Sequence, residues 1–472
     1  MSGDGQALRI ASLTALGRML RQGEVTAVEI ARHSLDALDT AGRALNAVVT
    51  LTTARALREA ARADAELAAG HDRGPLHGIP YGAKDLLATA GIPTTWGAVP
   101  FRDQLFSFDA AVVERLEQAG AVLVAKLAMV ELAGGMGYDQ PNASLTGPGL
   151  NPWNTNAWSG GSSSGSGSAV GARLVPFAIG SETQGSITSP SANCGVSGLR
   201  PTYGRVSRHG AMALCWTMDK LGPICRTAED CGLVLAAIAG PDARDPTAAN
   251  RRFLYPPTTQ RAGGFRLGVL SGAGDGAQPE VAAHFEGSLA VLREIATLEE
   301  ITLPDLPYGA VSAIVIGAEA SSAFDGFLAS GHAAALTAPE DRVKPYAYAT
   351  ISAAEYLRAM RVRRQIARVM DELCARFDAL VSPTLPEVAP PVDEPFSRRR
   401  HRRWPPLTAA ANLAGLPAIS VPNGFGERGL PTALQFTGRA WSESRLLALA
   451  SAYQARTDWH HRLPPDPPQA QT

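Results

Sequence analysis

Two turns dense in serine and glycine, SGGSSSGSGS at 159–168 and SETQGSITSP at 181–190, bracket the apolar run AVGARLVPFAIG. A linker of this composition joins independently folding parts and leads into polar sequence. This stretch leads instead into a segment that reads as buried helix and strand. Its small residues then serve a backbone that must bend or pack where side chains would obstruct it. Two serine-bearing turns at the ends of one αβ segment hold Ser162 and Ser186 at fixed places on a rigid core, as a reactive site requires. On these residues alone the linker stands as the competing reading.

The remaining chain has the rhythm of an α/β protein. Residues 8–70 repeat apolar side chains every three or four positions and read as helices, with Thr26 and Glu29 as a capping box and Gly70 as a C-cap. LHGIPYGAKDLL marks a turn into a short buried strand, and DAAVVERLEQAGA followed by VLVAK is one helix–strand step. After a polar, Pro-rich stretch at 245–265, FRLGVLSG opens a new strand and 279–298 read as helix. AEYLRAMRVRRQIARVMDELCARF is a long amphipathic helix feeding the strand DALVSP. LPAISVP and PTALQFTG are strands, and SESRLLALASAYQAR is a last helix. No repeat is evident. The expectation is one large α/β domain over 8–465, with a helical N-terminal layer over 8–70, a core over 75–240, a C-terminal part over 265–465 and a polar tail at 466–472.

Charge and composition narrow the function classes. Lys plus Arg number 43 against 44 Asp plus Glu, so neither nucleic acid nor an anionic membrane is an expected partner. The arginine-rich SRRRHRRW at 397–404 reads as a solvated loop. Five scattered cysteines without a C-x-x-C pair suit a reduced compartment. The histidines form no H-E-x-x-H, and His460 with His461 reads as a solvated pair, so neither metal nor cofactor is expected. No signal-peptide pattern and no long apolar span is visible, which points to a cytoplasmic protein.

A serine hydroxyl is a poor nucleophile until a base takes its proton. No histidine stands in a context that singles it out, whereas Lys84 sits in the apolar, glycine-containing HGIPYGAKDLLATAG. A buried lysine whose pKa falls towards neutrality can act as base. A structural ion pair between Lys84 and Asp85 is equally compatible with the residues alone.

Taken in order, GIPYGAKD, SGGSSSGSGSAV, IGSETQGSITSPSANCGVSGLRPTYGRVS and GLPAISVPNGF…GLPTALQFTG resemble the amidase signature family, over about 8–465. The resemblance implies a central mixed, twisted sheet covered by helices on both sides, and hydrolysis of amides or, in some members, esters, anilides or carbamates. It implies a triad of Lys84, Ser162 and Ser186, with a cis peptide between Gly161 and Ser162. Ser186 would be the nucleophile and Ser162 the proton shuttle. The backbone N–H groups of Thr183, Gln184, Gly185 and Ser186 would hold the oxyanion, and Ser181 would bond near Lys84. Residues near 129–138, 308–350 and 383–406 would line the cleft, with Met136, Tyr138, Gln184, Thr188 and Trp404 as candidate substrate contacts.

Where family members often read D-T-G-G-S-I-R, this chain reads E-T-Q-G-S-I-T. Glu182 is a longer acid, Gln184 replaces a glycine, and Thr188 replaces an arginine that in some members pairs with a substrate carboxylate. The expectation is a hydrolase of neutral small-molecule amides, anilides or carbamates, a monomer or homodimer with no nucleic-acid or membrane partner. The alternative is the glutamine-hydrolysing amidase subunit of a tRNA-dependent amidotransferase.

Overall fold

Short runs of Val, Leu, Ala and Gly make the centre of the protein, which a computed structural model describes over residues 3–256, 264–398 and 405–465. The strands Pro80–Lys84, Val122–Leu127 and Phe177–Glu182 are buried at every residue, as strands covered on both faces must be. They pair in parallel, with Pro80–Lys84 in the middle. Among the described residues they belong to one eleven-stranded mixed sheet. Its order continues from Phe177–Glu182 through Lys220–Cys225, Ser197–Arg200, Ala418–Phe425, Pro431–Thr437, Ala379–Pro383 and Phe265–Leu270 to Ala296–Ile301. Val48–Leu51 closes the opposite edge beside Val122–Leu127. Helices pack against this sheet, giving the α/β architecture that the resemblance implies.

The Gly/Ser stretch is structural, not a linker. Residues Ser164–Gly171 form a helix buried along its whole length. A Cβ at Gly165 would stand 2.4 Å from the Ala47 carbonyl oxygen, so only glycine lets this helix press against the backbone beside it.

Three expectations need correction. Val48–Leu51 interrupts the N-terminal helices: its β-branched residues favour an extended chain, and it pairs antiparallel with Val122–Leu127. The helix from Pro279 ends at Arg293, and Ala296–Ile301 is a strand parallel to Phe265–Leu270. The capping boxes at Thr26–Glu29 and Ser352–Glu355 both form, the second opening the long helix Ala353–Cys374. His460 is buried rather than solvated. Among the described residues no helix is long and apolar enough to cross a membrane.

Candidate active site

Lys84 ends the central parallel strand, wholly buried, with its Nζ 2.7 Å from Ser162 Oγ and 2.9 Å from Ser181 Oγ. Burial pushes its pKa down to about 7, against a weaker opposing pull from Asp219 and Glu182. A large share of neutral amine therefore exists near neutral pH. The neighbouring Asp85 does not pair with it. Its carboxylate lies 2.9 Å from Lys126 Nζ on the adjacent strand and accepts the Thr95 N–H at 2.9 Å.

The two serine turns meet at this lysine. Ser162 follows a cis peptide from Gly161, its hydroxyl is buried, and its carbonyl accepts the Val130 N–H at 3.1 Å. Gly160 before it takes a φ of 87°, a left-handed conformation that favours glycine. The Ser163 N–H donates to the Ser186 carbonyl at 3.3 Å, which lays one turn along the other. Ser186 keeps slight exposure and opens into a cavity of about 320 Å³.

The turn before Ser186 is anchored from beneath while its own donors stay unengaged. Glu182 Oε2 accepts the N–H groups of Ile187 at 2.9 Å and Thr188 at 3.0 Å. Its Oε1 accepts from Arg200 Nη1 at 2.8 Å and Asn412 Nδ2 at 3.1 Å. Burial alone would raise this carboxyl's pKa, but Arg200, Lys220 and these hydrogen bonds hold it near 2. Thr183 Oγ1 donates to Asp219 at 2.6 Å, and its carbonyl accepts from Lys220 Nζ at 3.3 Å. Among the described residues, the backbone N–H groups of Thr183, Gln184, Gly185 and Ser186 donate to no protein acceptor. Four adjacent free donors beside a hydroxyl are what a developing oxyanion needs.

The cavity wall has an aromatic side. Trp158 and Phe396 stand 4.7 Å apart between ring centroids, and Tyr138 is 5.7 Å from Phe396. Opposite them, the helix Tyr308–Ala323 supplies Ser312 and Ile316. No Asp, Glu, Lys, Arg or His lines the cavity among the described residues.

Of the candidate substrate contacts, Tyr138 and Gln184 line the cavity. Met136 does not: it is fully buried in the main core, its apolar side chain packed away from water. Thr188 does not either, because its hydroxyl turns inward to Glu182 at 3.3 Å. Trp404 lies outside the described residues. Sequence reasoning did not single out Trp158, Phe396 or Ser312. Trp158 directly precedes the first serine turn, a position that could have marked it.

The amidase family model matches residues 29–447. The chain belongs to the amidase signature family. It is 38% identical, over 96% of its length and 98% of the relative's, to a glutamyl-tRNA(Gln) amidotransferase subunit from Methylococcus capsulatus. Among solved structures, a chain from a vestigial protein complex tied to the evolutionary origins of an s-triazine catabolic enzyme superposes with a TM-score of 0.87 at 31% identity, covering 94% of this chain and 98% of that one. The peptide amidase of Stenotrophomonas maltophilia matches with a TM-score of 0.81 at 30% identity, covering 98% and 99%.

These likenesses correct the expectation of a monomer or homodimer acting on a small molecule with no nucleic acid involved. Full-length relatives carry names that specify a tRNA-linked reaction and place each relative within a multi-subunit enzyme. Whole-chain charge balance does not decide this point, because it averages over the surface and says nothing of any one patch.

Proposed function

We propose that this amidase-family chain cleaves an amide C–N bond through an acyl-enzyme on Ser186. The observation that carries the reading is a buried lysine between two serine hydroxyls, beside a turn of unengaged N–H donors. Neutral Lys84 takes the Ser162 proton, and Ser162 takes the Ser186 proton as the Ser186 oxygen bonds to the scissile carbonyl carbon. The carbonyl electron pair moves onto oxygen, where the N–H groups of 183–186 receive it. The pair returns as the C–N bond breaks, and the proton held on Lys84 passes through Ser162 to the departing nitrogen. Water then attacks the ester by the same relay and frees Ser186.

For the substrate, the relatives' names support a subunit of a tRNA-dependent amidotransferase; on that reading this chain hydrolyses glutamine as the amide and requires partner subunits. A second reading, a neutral amide, anilide or carbamate, is favoured by one observation: the described cavity wall has no charged group to receive glutamine's carboxylate and ammonium.

Ammonia release from glutamine, measured with and without co-expressed partner subunits, tests the first reading. Release of 4-nitroaniline from 4-nitroacetanilide tests the second. Each assay runs beside Ser186→Ala, and turnover retained in that variant would overturn the acyl-enzyme. Glutamine turnover that depends on partners decides for the amidotransferase, and anilide turnover without glutamine turnover decides against it.

A further inference from the structure

Gln184 stands where family members often carry glycine, so its side chain is a feature of this chain rather than of the shared machinery. It lines the cavity one residue before the glycine that precedes the nucleophile. Its carboxamide oxygen accepts the hydroxyl of Ser312, which reaches it from the helix Tyr308–Ala323. Ser312 is 1% exposed, and its hydroxyl has no other acceptor among the described residues.

That bond decides which end of the carboxamide the cavity meets. A primary carboxamide has one acceptor oxygen and two N–H donors. With the oxygen held by Ser312, the Nε2 donors are left over, and no group among the described residues accepts from them. The surrounding wall is uncharged, aromatic and aliphatic with the neutral polar side chains of Thr183, Ser189 and Asn193, and offers no carboxylate to take them. A neutral donor pair in such a wall rewards an uncharged acceptor and leaves a hydrocarbon of the same shape facing an unpaired polar group.

We propose that Gln184, oriented by Ser312, is a specificity residue whose Nε2 donates to a second, neutral carbonyl oxygen on the acyl side of the substrate. Gln184 is the group that touches substrate, and Ser312 is a positioning residue. The inference rests on the Ser186 acyl-enzyme reading for where the acyl group lies and on the second, neutral-amide reading of the substrate, because the acyl part of glutamine carries no second neutral carbonyl.

The test compares acetoacetamide, which has such a carbonyl, with 3-methylbutanamide, which replaces that oxygen by a methyl group. Dissociation constants are measured by calorimetry on Ser186→Ala, so that binding is read without turnover. The expected result is about tenfold tighter binding of acetoacetamide, the value of one well-made hydrogen bond. Adding Gln184→Leu should bring the ratio to about one, and adding Gln184→Glu should bring it below one. Ser312→Ala in the same background should lower the ratio severalfold while leaving the melting temperature nearly unchanged, and Ser312→Thr should restore it. Equal affinities for the two amides, no binding of either, or a ratio that Gln184→Leu does not move would overturn the proposal. Failure of the acyl-enzyme reading would be seen separately, as turnover that survives Ser186→Ala.

Discussion

Two buried lysines sit on neighbouring strands of the sheet, Lys84 on Pro80–Lys84 and Lys126 on Val122–Leu127, both fully enclosed. Burial lowers the pKa of each. Lys126 has a carboxylate 2.9 Å away, Asp85, and a hydrogen bond to Thr94 Oγ1 at 2.7 Å. Among the described residues, Lys84 has only hydroxyls within hydrogen-bond distance, on Ser162 and Ser181. The carboxylate stabilises the ammonium form of Lys126 and fits it for holding structure. Hydroxyls offer no opposite charge, so Lys84 gives up its proton near neutrality and fits the role of base. The difference lies in the partner, since depth is the same for both.

Exchange of each lysine for methionine should break the symmetry most visibly. Lys84→Met is expected to lower kcat/KM by roughly 10³- to 10⁴-fold with the fold intact, as loss of a proton carrier does. Lys126→Met should leave kcat of the folded fraction within severalfold of wild type, but destabilise by about 3–5 kcal/mol, because Asp85 stays buried without its cation. Denaturant unfolding beside steady-state kinetics separates the two, and equal activity losses would dissolve the distinction.

A gentler change gives Lys84 part of what Lys126 has. Ser181→Asp places a carboxylate beside it, and the acid limb of the kcat/KM profile, expected near pH 7 in the wild type, should move up by about one unit or more. An unmoved limb would mean that Lys84 does not set it. Ser181→Ala removes one hydroxyl without adding charge and should lower kcat about tenfold or less.

A last effect is on stability against pH. Lys84 titrates at about 7 when folded and at 10.5 when free, so between those values the unfolded chain binds the extra proton. Its contribution is therefore unfavourable below about pH 7 and is relieved as pH rises towards 10.5. The stability difference between Lys84→Met and wild type should favour the variant at pH 6 and shrink across that window. A difference that is constant with pH would contradict a depressed lysine.

Much of the site was legible because its chemistry is carried by residue type within local motifs. Ser162, Ser186 and Lys84 each stand in a short, recognisable segment, and the structure draws those segments to one point. Residue type misled where orientation decides. Thr188 stands where some family members carry an arginine for a substrate carboxylate, yet its hydroxyl turns inward to Glu182. Met136 looked like a wall and is core. The strand Val48–Leu51 was hidden inside a helical rhythm because its pairing partner lies far along the chain.

By itself the sequence determined the family, many of the strands and helices along the chain, and which lysine and serines are the candidates for the site, since each depends on local pattern and residue chemistry. Only the tertiary structure decided that Asp85 belongs to Lys126, that Glu182 is held by Arg200 and Asn412, and that Ser312 fixes the direction of Gln184. These pairings join segments distant in sequence. Burial and charge, which set what each side chain can do, exist only once the chain has closed around them.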